Sequence, residues 1–190
     1  IAVSEVREGA AHEVIHLTWG ELRRRTGALV QAMKAHGVVQ GDRIALCAAN
    51  SIDTLFVFLA STALGAIFSS SSTDMGTKGV LDRLLQIKPR WLFMDDLAVY
   101  NGKTIDLRSK IGEIVKGMES VPEFEGVVSL PRFHSRPADI NSIPRTKTLA
   151  EFLEKAGGNE KLEFERVGFR DPFLVVYSSG TTGQPKCIVH

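Results

Sequence analysis

The sequence predicts an α/β protein with a mostly parallel sheet flanked by helices on both faces. Short apolar runs, typical of strands buried on both sides, alternate along the chain with segments of helical periodicity. Parallel neighbouring strands are joined by helical crossovers, so this alternation favours a parallel sheet. The 190 residues are 44% hydrophobic and 24% charged, which is the composition of a globular protein rather than of a disordered chain.

The first helix is predicted to begin after Thr18. Thr18 and Glu21 have the spacing of a capping box, in which each side chain accepts a hydrogen bond from the other residue's backbone N–H. Gly37 is placed to end this helix in the left-handed conformation. One helix face is formed by Leu22, Thr26, Leu29, Val30 and Met33. Residues 23–25 are all arginine, point in different directions around the helix and are expected to face solvent.

Strands and helices then alternate as far as residue 130. Apolar runs predict strands at 44–48, 66–69, 91–94 and 126–130. Helical spacing of apolar residues predicts helices between these strands, around 52–64, 80–87 and 107–118. Asn101 and Gly102 predict a tight hairpin, because both residues tolerate the positive φ of a two-residue turn.

The remainder of the chain is less regular. Three prolines and many polar residues at 131–145 predict a long irregular connection. Thr148 and Glu151 repeat the capping-box spacing and predict a short helix, and a last strand is expected at 173–177. We therefore divide the chain into a first α/β unit (1–130), an irregular connection with a short helix (131–165), and a strand with its following loop (166–190).

Charge and cysteine usage exclude several classes of protein. Lys and Arg number 23 and Asp and Glu number 22, a balance that argues against a nucleic-acid partner. Two cysteines and five histidines without metal spacing argue against a disulfide scaffold and a zinc site, and favour a reducing, cytoplasmic compartment. Residues 54–73 carry no charge, but polar residues and Gly65 interrupt them, so a buried helix and strand are expected rather than a membrane span.

Residues 178–186, here called the glycine-rich loop, carry the strongest chemical signal. Glycines let several backbone N–H groups point toward one site, and such a nest binds anions. Hydroxyl groups and the ammonium of Lys186 add further donors. Gly180 and Gly183 are only three residues apart, so the loop is not a Walker loop. Phosphate binding is therefore predicted, and a solvated turn is the alternative interpretation.

The string from Tyr177 to Lys186 resembles the phosphate loop of the adenylate-forming superfamily, which includes acyl-CoA synthetases, luciferases and peptide-synthetase adenylation domains. Similarity to that superfamily continues, in the same order, at 17–22, 41–45, 50–51 and 64–67. At 67–89, 100–103 and 186–190 the sequence resembles acetoacetyl-CoA synthetases more than it resembles acetyl-CoA or propionyl-CoA synthetases. The resemblance implies the amino-terminal part of the large domain of such an enzyme.

The resemblance also implies a two-step reaction with ATP, Mg²⁺ and coenzyme A. A carboxylate, here acetoacetate, forms an acyl-adenylate and pyrophosphate, and the thiol of coenzyme A then displaces AMP. Lys186 would act as the catalytic residue that neutralises the departing pyrophosphate. The ATP phosphates would be held by Ser178, Ser179, Gly180, Thr181, Thr182, Gly183 and Lys186. Arg83 is similar in position to an arginine that contacts the 3′-phosphate of coenzyme A, and the alternative is a surface helix charge.

Several interpretations stay open. The resemblance implies that the adenine pocket and the carboxy-terminal domain follow residue 190, so these 190 residues alone are expected to be inactive. Another acyl-CoA synthetase, such as one for acetate or propionate, is one alternative, and a non-catalytic nucleotide-binding or interaction domain is another. Cys187 is expected to be a small buried thiol. Asp95 and Asp96 are compatible with Mg²⁺ binding or with a turn and are not assigned.

Overall fold

The computed structural model describes residues 1–8, 14–178 and 183–190. Four residues of the predicted phosphate site, Ser179, Gly180, Thr181 and Thr182, lie outside this part of the chain. The strands are β1 (Val3–Val6), β2 (Val14–Leu17), β3 (Arg43–Cys47), β4 (Ile67–Ser71), β5 (Trp91–Asp95), β6 (Leu97–Tyr100), β7 (Lys103–Asp106), β8 (Gly126–Leu130), β9 (Thr146–Thr148), β10 (Leu174–Ser178) and β11 (Lys186–Val189). The helices are α1 (Trp19–Ala35), α2 (Ile52–Ala63), α3 (Thr77–Ile87), α4 (Arg108–Gly117) and α5 (Leu149–Glu154).

A seven-stranded sheet lies at the centre of the protein, with the strand order β11-β10-β4-β3-β5-β8-β9. The six strands from β10 to β9 are parallel, and β11 alone is antiparallel to its neighbour. Two antiparallel pairs, β1 with β2 and β6 with β7, form separate small sheets. The predicted α/β fold with a mostly parallel sheet is confirmed.

Helices cover both faces of the central sheet. Successive residues of a strand point to opposite faces, so Phe93 and Leu92 of β5 belong to two different apolar cores. Helices α1, α2 and α5 pack on the core that contains Phe93. Helices α3 and α4 pack on the core that contains Leu92. The near-continuous apolar character of the inner strands follows from this two-sided burial.

Local sequence signals locate most of these elements. Thr18 and Thr148 cap α1 and α5, and both form the complete capping box with their glutamates. Asn101 and Gly102 both have positive φ, 49° and 72°, in the turn between β6 and β7. The uncharged segment 54–73 forms most of α2 and then β4, as expected. In the described ranges no helix is both long and apolar enough to span a bilayer.

Three features were absent from the sequence prediction: the β1–β2 pair, β9 and β11. Strand β9 is only three residues long and contains no apolar side chain, although it pairs in parallel with β8. All four residues of β11 are exposed, and no strand was predicted for them. The segment before β9 is irregular as predicted, and the three-part division of the chain stays a prediction.

Candidate active site

The carboxyl ends of the parallel strands meet at one edge of the sheet, where open α/β proteins bind ligands. A cavity of about 730 Å³ lies there, beyond the ends of β3 and β4. Its wall is rich in hydroxyl and amide side chains, including Asn50, Ser51, Thr54, Ser70, Ser71 and Ser72. Neutral donors and acceptors of this kind suit a polar ligand.

The glycine-rich loop begins at the same edge of the sheet. Strand β10 runs parallel to β4, with Leu174 opposite Phe68, so the end of β10 lies on the side of the cavity. Strand β11 returns antiparallel to β10, and Ser178 stands directly opposite Lys186. We call the strands β10 and β11 together the glycine-rich hairpin.

The register places two predicted phosphate ligands together at the base of this hairpin. Directly opposed residues of an antiparallel pair project to the same face, so Ser178 and Lys186 share one face. Lys186 is exposed and Ser178 is half-buried. Gly183 has a φ of 155° and open space around it. These three residues are the described members of the predicted phosphate site, whose role stays a prediction, and the other four predicted ligands lie outside the described residues.

Arg83 lies beside the hairpin, on α3. Its Nη1 donates to the carbonyl oxygen of Gly79 at 2.8 Å, and its guanidinium carbon lies 5.2 Å from the centre of the Tyr177 ring. Tyr177 Oη in turn donates to the carbonyl oxygen of Arg83 at 2.9 Å. Burial raises the pKa of the Tyr177 phenol above its ordinary value, which keeps this donor protonated. Arg83 is therefore a half-buried group with protein partners, and its predicted contact with coenzyme A stays a prediction.

The two cysteines have opposite environments. Cys47 is fully buried, its Sγ lies 3.6 Å from the carbonyl oxygen of Ser72, and burial raises the pKa of its thiol to about 11. Cys187 is exposed and its Sγ donates to Gln86 Oε1 at 3.2 Å. The prediction of a buried Cys187 is wrong, because its apolar neighbours lie in β11, which is the outermost strand of the sheet.

The carboxylates of Asp95 and Asp96, at the end of β5, have structural partners. Asp95 Oδ2 accepts a hydrogen bond from the backbone N–H of Ala49 at 2.8 Å. The two oxygens of Asp96 accept from the backbone N–H groups of Arg132 and Ala138, each at 2.7 Å. Among the described residues, no group of three or more His, Cys, Asp or Glu side chains is arranged to hold a metal ion. Both carboxylates thus have backbone partners in the protein, Asp95 as the last residue of β5 and Asp96 directly after it.

An ion-pair cluster that the sequence did not reveal supports the start of α2. Arg7 Nε donates to Glu5 Oε2 at 2.7 Å, and Arg7 Nη2 donates to Asp53 Oδ2 at 3.3 Å. Glu5 also accepts from the N–H of Ile52, and His134 Nε2 lies 3.2 Å from Asp53 Oδ2. The cluster joins residues far apart in the sequence, so no local signal could have predicted it.

Comparison with known proteins identifies the family. A family model described as "AMP-binding enzyme" matches residues 2–190. The chain belongs to the AMP-binding enzyme family. This AMP-binding chain is 41% identical over 193 aligned residues to an acetoacetyl-CoA synthetase of Danio rerio and, over the same length, to one of Gallus gallus. Both alignments cover 100% of the chain and 28% of the relative, so the chain spans just over a quarter of the curated relatives.

Two further comparisons refine this placement of the AMP-binding chain. A malonamoyl-CoA synthetase of Penicillium aethiopicum is 39% identical over 194 aligned residues, covering 100% of the chain and 26% of the relative. The solved structure of an acetoacetyl-CoA synthetase from Streptomyces lividans matches with a TM-score of 0.80 and 33% identity. That match covers 94% of the chain and 26% of the solved enzyme. The predicted resemblance to acetoacetyl-CoA synthetases is confirmed.

The buried carboxyl of Asp95 gives this AMP-binding chain a testable pH dependence. Burial raises the pKa of Asp95 from 3.8 to about 7. Between these two pH values the folded protein binds more protons than the unfolded chain, so the free energy of unfolding falls as pH rises. Asp95→Asn keeps an acceptor for Ala49 but cannot ionise, and we expect a smaller loss of stability between pH 4.5 and 8 than in the wild type. Urea unfolding at both pH values measures this, and an equal loss in variant and wild type would refute the assignment.

Proposed function

We propose that the protein containing this chain is an ATP-dependent acid–thiol ligase that activates acetoacetate as an acyl-adenylate and transfers the acyl group to coenzyme A. The observation that carries the proposal is the glycine-rich hairpin, whose strand register places Ser178 opposite Lys186 at the edge of the sheet where the parallel strands end. Membership of the AMP-binding enzyme family and the acetoacetyl-CoA synthetases among its relatives support this assignment.

The chemistry explains why such a loop is needed. A carboxylate is a poor acyl donor, since direct attack on it would have to expel oxide. In the proposed first step a carboxylate oxygen attacks the α-phosphorus of ATP, and the bond to the bridging oxygen breaks, so that pyrophosphate leaves with the electron pair. In the second step the sulfur of coenzyme A attacks the acyl carbon, loses its proton, and AMP leaves as the acyl–oxygen bond breaks.

The glycine-rich loop would act on the first step. Phosphoryl transfer asks a protein mainly for positioning and charge stabilisation. Lys186 would neutralise the charge that builds up on the departing pyrophosphate. The β- and γ-phosphates would be held by Ser178, Ser179, Gly180, Thr181, Thr182 and Gly183. The exposure of Lys186 is compatible with this role, because its ammonium is accessible to a ligand.

Among the described residues, no cluster of three or more His, Cys, Asp or Glu side chains is arranged to hold Mg²⁺. Asp95 and Asp96 are the acids at the end of β5, and backbone N–H groups donate to one oxygen of Asp95 and to both oxygens of Asp96. We propose that Mg²⁺ binds together with the ATP phosphates. The free cysteines Cys47 and Cys187 are compatible with the reducing cytoplasmic compartment that we propose.

Acid-dependent exchange of labelled pyrophosphate into ATP tests the proposal, because it reports adenylation without coenzyme A. The assay should use the longest natural chain that contains this sequence, and the 190 residues alone are expected to be inactive. We expect faster exchange with acetoacetate than with acetate or propionate. Faster exchange with either of these two acids would move the assignment to another acyl-CoA synthetase, and no exchange with any acid would favour a non-catalytic domain.

Malonamate is a second candidate substrate, favoured by the 39% identity to the malonamoyl-CoA synthetase. Acetoacetate and malonamate share a carbonyl group β to the carboxylate and differ in a methyl against an amino group. Comparing kcat/KM for the two acids decides between them. A site that hydrogen-bonds the amino group would discriminate strongly against the methyl analogue.

A further inference from the structure

Helix α3 contacts both strands of the glycine-rich hairpin, one on each side of the loop. The two residues responsible, Arg83 and Gln86, are three positions apart and therefore neighbours on one face of α3. Arg83 contacts the residue that precedes Ser178. Gln86 contacts the residues on either side of Lys186.

The contact before the loop has three components. The Arg83 guanidinium stacks over the Tyr177 ring at 5.2 Å, and its Nη1 is held by the carbonyl oxygen of Gly79 at 2.8 Å. The Tyr177 hydroxyl donates to the Arg83 carbonyl oxygen at 2.9 Å. Tyr177 is thus fixed at its ring face and at its hydroxyl, and these contacts fix the position of Ser178, the next residue and the last of β10.

The contact after the loop uses both ends of one carboxamide. Gln86 Nε2 donates to the carbonyl oxygen of Pro185 at 3.1 Å, and Gln86 Oε1 accepts from Cys187 Sγ at 3.2 Å. Nε2 also donates to the carbonyl oxygen of Asp82 at 2.9 Å, which orients the carboxamide along α3. Lys186 therefore lies between two residues that are hydrogen-bonded to Gln86.

We propose that Arg83 and Gln86 are positioning residues that fix the two ends of the glycine-rich loop for ATP. This inference rests on the proposed function, because the loop needs a fixed position only if it binds the triphosphate. It also gives Arg83 a role other than the predicted contact with coenzyme A. Since both contacts come from one helix face, they set the separation and orientation of Ser178 and Lys186 together.

Kinetics of Tyr177→Phe and Gln86→Leu in the longest natural chain test the inference. Tyr177→Phe removes the hydroxyl contact but keeps the ring, and Gln86→Leu removes the carboxamide at similar volume. We expect each to raise KM for ATP in pyrophosphate exchange by roughly threefold to tenfold, the size expected from losing one or two hydrogen bonds. We expect KM for coenzyme A in the complete reaction to be unchanged. A general loss of folded protein would lower the rates and leave both KM values unchanged, so it would not explain a raised KM for ATP.

Lys78→Gln is the matched control, because Lys78 lies on α3 but its ammonium pairs with Asp82 at the exposed surface. This variant should retain wild-type KM values. Arg83→Met discriminates between the two roles of Arg83. A raised KM for ATP supports the positioning role. A raised KM for coenzyme A alone would overturn that role and support a contact between Arg83 and coenzyme A.

Hydrogen–deuterium exchange separates the failure of this inference from the failure of the proposed function. Peptides that cover residues 174–190 should exchange hydrogen for deuterium faster in Tyr177→Phe and in Gln86→Leu than in the wild type, whether or not the protein is catalytically active. Unchanged hydrogen–deuterium exchange in both variants would overturn the positioning role, whatever their rates of pyrophosphate exchange. If the wild type never exchanges pyrophosphate but hydrogen–deuterium exchange is still faster in the two variants, the contacts stand as an anchor and only the proposed ligase function falls.

Discussion

Replacing Lys186 with methionine is expected to slow acid-dependent pyrophosphate exchange by about a hundredfold or more, the usual cost of removing one group that stabilises developing charge. Methionine keeps most of the length of the side chain and removes its positive charge. The loss should appear in kcat, because the charge on pyrophosphate grows only as the bond to the α-phosphorus breaks. Exchange rates at saturating ATP and acetoacetate measure it.

Two companion variants make this prediction specific. Lys186→Arg keeps the charge and should retain more activity than the methionine variant. Lys116→Met removes an exposed lysine from the last turn of α4 and should leave exchange unchanged. Lys186 is exposed, so its replacement should not alter the melting temperature. Wild-type exchange in Lys186→Met, with the fold intact, would remove the catalytic role assigned to this residue.

The second large effect is expected on stability, from Asp96→Ala. The Asp96 side chain is fully buried and accepts from two backbone N–H groups, those of Arg132 and Ala138. Alanine would leave both donors without a partner, at a cost of roughly 2 to 6 kcal/mol of unfolding free energy. For a chain of this size the melting temperature should fall by about 10 °C. Thermal and urea unfolding measure both quantities.

Asp139→Ala provides the matched control for this loss of stability. Asp139 is exposed, and its Oδ1 accepts from the backbone N–H of Asn141 within the same turn. Its replacement is expected to cost less than about 1 kcal/mol, because water can replace the lost acceptor. If Asp96→Ala kept wild-type stability but changed the dependence of activity on Mg²⁺, the structural role of Asp96 would be refuted and a metal role would take its place.

Local chemistry made most of the fold predictable. Helices α1 and α5 begin where the capping boxes at Thr18 and Thr148 place them, because those residues satisfy backbone donors within four positions of sequence. The buried strands β3 and β5 were predictable because burial on both faces demands unbroken apolar runs. In both cases the sequence determines the structure over a short span.

The missed features depend on distant partners instead. Strand β9 pairs with the otherwise free edge of β8, and β9 contains no apolar side chain that would predict this pairing. Cys187 is exposed because β11 lies outermost in the sheet, a property of the strand order and not of its apolar neighbours.

The candidate site shows the same division. Glycines and hydroxyls identified the glycine-rich loop from its own residues, whereas the contacts of Arg83 and Gln86 with it join residues more than 90 positions apart. Spacing along one helix could show that Arg83 and Gln86 share a face. It could not show which strand that face meets.

A crystal structure of the longest natural chain with ATP bound is the most direct test of the phosphate-binding role of the glycine-rich loop. We expect the β- and γ-phosphates within hydrogen-bond distance of the Ser178 hydroxyl and the Lys186 ammonium, at the edge of the sheet where β10 ends. A triphosphate bound elsewhere, with Lys186 directed away from it, would contradict the account.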